Sequence, residues 1–156
     1  MVVVLGAFLA LVINLARAFD NKAQLQAAAD SAALAGARSL NGTTAGTSAA
    51  VTMAQTLMQR HNVETEGITV PASDLQVGCW NIDATPATKA TAFQLFGTTG
   101  CTIRHVNAVR APNGRDGQAG RNGPMPAAFG FFLGRSSVNI SSEAIAIGGG
   151  PCESAC

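Results

Sequence analysis

Apolar residues crowd the start of the chain: MVVVLGAFLALVINLA, residues 1–16, carries no charge and one polar side chain, Asn14. The sequence then continues without a proline through ARAFDNKAQLQAAADSAALAGARSL, and Asn41-Gly42 supplies a stop signal. A single helix over residues 2–40 is predicted, about 58 Å long at ~1.5 Å per residue. Within it Phe19, Ala23, Ala27, Leu34 and Ala37 recur at helical spacing and mark one apolar stripe, while Asp20, Lys22, Gln24, Gln26 and Asp30 interrupt the other faces. A soluble domain of this size seldom exposes such a segment, so its shelter is lipid, a partner or further copies of the chain.

A second helix, SAAVTMAQTLMQRHN, is predicted behind a Thr47 cap, with Val51, Ala54, Leu57 and Met58 on a face suited to the first helix. After His61 the period shortens. ITVPASDLQVGCWNI, CTIRHVNAVRA and SVNISSEAIAI alternate apolar and polar residues over part of their lengths and predict about three to five strands. Val106, Ala108 or Val109, with Val138, Ile140, Ile145 and Ile147, are expected on the buried face, and Trp80 in the core or against a helix. The fold class is α+β: a long N-terminal hydrophobic helix, residues 1–40, and a head, residues 41–156, with the second helix on a small, mainly antiparallel sheet. PNGRDGQAGRNGPMP, residues 112–126, is expected to be a mobile surface loop. AFGFFLG, residues 128–134, gathers three Phe and a Leu that either plug the head or contact a neighbouring subunit.

Composition narrows the function. A chain of 156 residues fits one compact domain plus the helix, leaving no room for a second catalytic domain. Charged residues make up 12% and the net charge is +1, which offers nothing to attract nucleic acid. Ala and Gly are abundant and Tyr is absent, a surface that tolerates close self-packing. Cys79, Cys101, Cys152 and Cys156 all lie outside the helix; pairing Cys79 with Cys101 and Cys152 with Cys156 is expected, and their spacing fits no zinc pattern. The glycines of residues 112–126 match neither a phosphate cradle nor a dinucleotide fingerprint. His61 and His105 show no Ser, Cys or carboxylate partner pattern, so no catalytic residue, metal or cofactor is predicted. The sequons at Asn41 and Asn139 are short enough to arise by chance, and no glycan is predicted.

The apolar run is shorter than the ~20 residues that normally cross a bilayer, although Ala18 and Phe19 extend it beyond an Arg17 able to snorkel. No Lys or Arg precedes it. Met1 is therefore read as a mature N-terminus left after removal of a basic leader, with an uncleaved signal anchor as the alternative; both place the remainder outside the cytoplasm. Val4, Leu5, Phe8, Leu11, Val12, Asn14, Leu15 and Phe19 are the candidates for helix-core assembly. Asn14 is able to fix register between helices or to bond its own backbone. Gly6 and Ala10, and Ala28, Ala32 and Gly36, are small-residue series that let helix backbones approach closely.

DNKAQLQAAADSAALAGARSL resembles the signature of the TadE/TadG-like proteins of tight-adherence (Flp-type) pilus systems. The family pattern is matched by Arg17, Ala18, Phe19, Gln24, Leu25, Gln26, Ala28, Ala29, Asp30, Ala32, Ala33, Leu34, Ala35, Gly36 and Ala37. Residues 107–111, 131–134 and 137–146 are similar to its later segments. The resemblance implies a pilin-like or pseudopilin-like secreted protein, held in the inner membrane before assembly. One departure stands out: type IV-like pilins commonly carry Glu at the fifth mature position, where this chain has Leu5.

The expected function is a structural subunit of an extracellular pilus-like filament, whose copies bundle residues 1–40 into a core. The alternative is a membrane-anchored minor pseudopilin or assembly factor of a tight-adherence pilus. Partners would be other copies of the chain, the inner membrane before assembly and other pilus components, but no nucleic acid. The location would be an extracellular filament or the cell surface, with a membrane-inserted precursor.

Overall fold

The computed structural model describes residues 2–84, 88–127 and 134–148. Helix α1 runs unbroken over Val2–Arg38, 37 residues or about 55 Å at ~1.5 Å per residue. Proline is absent from it, and alanine, the best helix former, dominates its second half. Ser39 and Leu40 bond back to the carbonyls of Gly36 and Ala37, and Gly42 takes φ 72°, so Asn41-Gly42 closes the helix.

Helix α2, Thr44–Met58, begins earlier than the sequence implies. Its cap is Thr43, not Thr47. Thr43 has extended backbone and its Oγ1 accepts from the Gly46 N–H at 3.1 Å, while Asn41 Oδ1 accepts from the Thr43 hydroxyl at 2.7 Å. The Thr47 hydroxyl instead donates to the Thr44 carbonyl from inside the first turn.

The strands are β1 (Asn62–Val63), β2 (Glu66–Gly67), β3 (Gln76–Trp80), β4 (Phe93–Leu95), β5 (Ala108–Arg115), β6 (Met125–Pro126), β7 (Ser137–Val138) and β8 (Ile140–Ile147). A third short helix, α3 (Lys89–Ala92), leads into β4. β3, β4, β5 and β8 form one antiparallel sheet in the order β4-β3-β5-β8, flanked by the ribbons β1-β2 and β6-β7. The class is α+β, as the hydrophobic pattern implies.

Both helices pack on this sheet through small residues. Leu25, Ala28, Ala32, Ala33 and Ala37 of α1, Ala50, Ala54 and Met58 of α2, and Val77, Val109, Ala111 and Ala146 of the sheet form the core. At Gly36 the backbones come so close that a Cβ would sit 3.0 Å from both the Ala50 carbonyl oxygen and Val109 Cγ1. Any side chain there must push the layers apart.

This tight layer reverses part of the strand reading. Ile140, Ser142 and Ala146 of β8 are buried, whereas Ile145 is half-buried and Ile147 is 53% exposed. Ala146 lies opposite Val109, under α1, where only a small residue fits; the larger Ile145 and Ile147 occupy the alternate positions. Val106, Ala108 and Val109 are buried as expected, and Val138 packs half-buried on the core. Trp80 is half-buried and stands outside the core cluster, opposite Phe93, so its expected core role is not met.

Residues 112–126 are not one mobile loop. β5 continues through Pro112, Asn113, Gly114 and Arg115, opposite Glu143, Ser142, Ser141 and Ile140. Pro112 is tolerated because β5 has lost its β3 partner beyond Arg110, so a missing N–H removes no ladder bond on that side. The segment after it is tied down by Arg121, which donates to Asp74 at 2.6 Å, and by Asn122, whose side chain bonds the Thr69 N–H at 2.8 Å and the Gly67 carbonyl at 3.0 Å.

Cys79 and Cys101 form the expected disulfide, closing a loop of sequence separation 22 and buried at 8% and 1% exposure. Cys152 and Cys156, and residues 128–133 of the Phe-rich segment, lie outside the described residues.

Candidate functional site

Two surfaces of α1 divide its work. The first grips the head. Asn21, Leu25, Ala28, Ala29, Ala32, Ala33, Gly36 and Ala37 are buried and share one face at helical spacing. The stripe proposed from sequence lies elsewhere: Phe19, Ala23, Ala27 and Leu34 are exposed, and only Ala37 of that set is buried. The small-residue series Ala28, Ala32 and Gly36 is thus spent inside the subunit, against α2 and β5. Gly6 is half-buried and Ala10 buried, at the other end of the helix.

The second surface faces outward and is apolar. Eight of the thirteen exposed large hydrophobic residues among those described lie on one segment: Val4, Leu5, Phe8, Leu9, Leu11, Val12, Leu15 and Phe19, at exposures of 47% to 72%. This concentration is what separates the segment from an ordinary surface, where single apolar residues are scattered. Fully burying each would contribute about 1.5–3 kcal/mol. Asn14, placed with them by sequence, is only 7% exposed and sits on the face of Ala10 instead. By length and composition, α1 is apolar enough to cross a membrane.

Where the apolar segment ends, a polar clamp joins the helix to the head. The turn between β1 and β2 puts Glu64 at φ 57°, the single non-glycine residue with positive φ among those described. Its backbone N–H donates to Gln24 Oε1 at 2.9 Å, and its Oε1 accepts from Arg17 Nη2 at 2.6 Å and Asn21 Nδ2 at 3.3 Å. Arg115, 6% exposed at its side chain, reaches Glu64 Oε2 at 3.5 Å and Glu66 at 2.8 Å. The Arg17 hydrogen bond, followed by that of Asn21 and the Arg17 and Arg115 charges, holds the Glu64 carboxyl below its ordinary pKa against the opposing effect of burial. Deeper in the same interface Asn113, fully buried, donates to the Leu25 carbonyl at 2.9 Å. The clamp went unseen in sequence because β1 and β2 are only two residues each, too short to show an alternating pattern.

His61 has a Ser partner that the sequence spacing did not reveal, and the partner of His105 is a Thr. His61 Nε2 lies 2.9 Å from Ser31 Oγ, and His105 Nδ1 lies 2.9 Å from Thr102 Oγ1. The Ser31 hydroxyl also lies 2.9 Å from the Ala28 carbonyl, which competes with His61 for its single proton. Among the described residues no group of three His, Cys, Asp or Glu side chains is arranged to hold a metal ion.

Two family models match the chain and meet near the end of α1. Residues 1–39 match the Flp pilus-assembly TadE/G-like family model, and residues 35–146 match the Tad-like Flp pilus-assembly model. No curated protein and no solved structure matches the chain. The second model covers most of the sequence and the first supplies the helix, so the chain belongs to the Tad-like Flp pilus-assembly family.

Proposed function

We propose that this protein is a structural subunit of an extracellular pilus-like filament, built by packing the outward face of α1 against the same helices of other copies. The observation that carries the reading is the run of exposed apolar side chains from Val4 to Phe19, on a helix whose opposite face is already committed to its own head. Before assembly the segment lies in the membrane: Val2–Phe19 spans about 27 Å as a helix, close to the ~30 Å hydrocarbon thickness, with Arg17 at its outer end. Withdrawal from lipid into a bundle exchanges one apolar surrounding for another, and a head-to-tail contact of this kind repeats without closing. The rigid clamp at Glu64 makes each head follow the orientation of its helix.

The test is electron microscopy of material sheared from cells, with the N-terminal residue of the chain identified by mass spectrometry. Fibres containing the chain in many copies are expected. Its recovery only as a trace membrane component, absent from the fibres, would overturn the reading in favour of a membrane-anchored assembly factor.

A further inference from the structure

A groove of about 540 Å³ opens on the head, within the ~300–1,000 Å³ usual for small-ligand sites. None of its lining residues belongs to the exposed apolar segment of α1. Its walls are two fixed ion-pair systems. Arg110 donates Nε to Glu143 at 2.8 Å and Nη1 to Gln76 at 3.0 Å; Arg121 bridges Asp74 at 2.6 Å and Asp116 at 3.1 Å. On the rim stand Lys22, Ser73, Gln118 and Ser141, whose side chains make no hydrogen bond to any described residue.

The chemistry of this lining selects by elimination. Lys22, Arg110 and Arg121 oppose Asp74, Asp116 and Glu143, three cations against three carboxylates, so the groove is neutral. A phosphate or polyanion meets three carboxylates, and a metal cation meets two held guanidinium groups and the Lys22 ammonium. Each carboxylate already holds a guanidinium, which leaves none to lend to a metal. Pro112 is the one apolar side chain in the lining, so a lipid or flat aromatic ligand gains little there. An uncharged molecule that both donates and accepts hydrogen bonds suits it best, because guanidinium, hydroxyl and amide side chains line it together.

We propose that this groove binds a short neutral saccharide through its vicinal hydroxyls. Arg110 and Arg121, oriented by their carboxylates, present their remaining N–H groups; Ser73, Gln118 and Ser141 donate and accept at the rim. Without an aromatic platform the single-site affinity is weak, with a dissociation constant of about 1 mM. A chain displayed many times along one fibre would turn such sites into tight surface attachment through avidity. The binding step itself needs no fibre.

The experiment is saturation-transfer difference NMR on the full chain in a detergent that contains no sugar, with cellobiose, maltose and diacetylchitobiose as neutral probes and sialyllactose and inorganic phosphate as charged ones. Ser73→Phe and Ser141→Phe, at two exposed positions on different elements, fill the groove, and Thr52→Phe on the exposed side of α2 is the control. The expected result is transfer to at least one neutral disaccharide, reduced about tenfold by each groove variant and unchanged in the control. No transfer from the wild-type chain at about 50 mM disaccharide, equal transfer in all variants, or displacement of the disaccharide by about 1 mM phosphate or sialyllactose would each overturn the proposal. Because the assay is carried out on dispersed protein, its failure leaves the assembly reading untouched.

Discussion

Arg17, the first charged residue of the chain, closes on Glu64 at 2.6 Å across a sequence separation of 47. The contact joins the end of the apolar segment to a turn of the head, and Gln24 holds the backbone of the same Glu64 from the next turns of the helix. Helix and head are thereby tied together at residue 17, while Val4, Leu5, Phe8, Leu9, Leu11, Val12 and Leu15 before it are exposed.

Acid should loosen this joint. The folded pKa of Glu64 lies below its unfolded value of about 4.3, so its contribution to stability is complete above that value and is lost as pH falls through the folded pKa. Glu64→Gln removes the charge but keeps the shape, and the expected outcome is a flatter fall of melting temperature below about pH 5 than in the wild-type chain. Identical acid profiles for the two proteins would contradict the role assigned to Glu64. Glu64→Ala should cost about 1–3 kcal/mol at neutral pH, measured by denaturant melts, because Arg115 loses an acceptor while nearly buried.

Gly36 offers a sharper structural prediction. Gly36→Val places its Cβ against the Ala50 carbonyl and Val109, both fixed by secondary structure, and should lower stability by more than about 2 kcal/mol despite raising no polar cost. Thermal unfolding followed by circular dichroism is the check.

The disulfide should matter through the unfolded chain. Replacing both Cys79 and Cys101 by Ala releases a loop of sequence separation 22 and is expected to cost about 3 kcal/mol, read from the denaturant midpoint with and without the bond.

Much of this architecture is legible in the residues, and the failures share a cause. The length of α1 follows from an apolar run, an alanine-rich run without proline, and Asn41-Gly42. Its buried face does not, because alanine is equally at home in a core and on a surface, and so Phe19 and Leu34 drew the stripe to the wrong side. The same small-residue packing hid the phase of β8, where Ala146 goes inward and the more hydrophobic Ile147 outward. The Thr43 cap competed with Gly42, Thr44, Gly46, Thr47 and Ser48, hydroxyl or glycine positions close by. Of the candidate assembly residues, Val4, Leu5, Phe8, Leu11, Val12, Leu15 and Phe19 are exposed on α1, but Asn14 is not, since one amide in an apolar run reveals nothing about which way it turns.

The outward face should be separable from the fold. Phe8→Glu and Leu15→Glu alter side chains that are 67% and 53% exposed, so the melting of the head in detergent should change by less than about 0.5 kcal/mol while assembly is lost. Negative-stain images and melting curves of the same preparations separate the two effects.

The most direct test is the size of the full-length protein after detergent and lipid are removed, measured by sedimentation velocity. Sheltering of residues 4–19 by sister helices predicts large assemblies for the wild-type chain and a shift to small species for Phe8→Glu. A wild-type chain that stays a dispersed single molecule would contradict it.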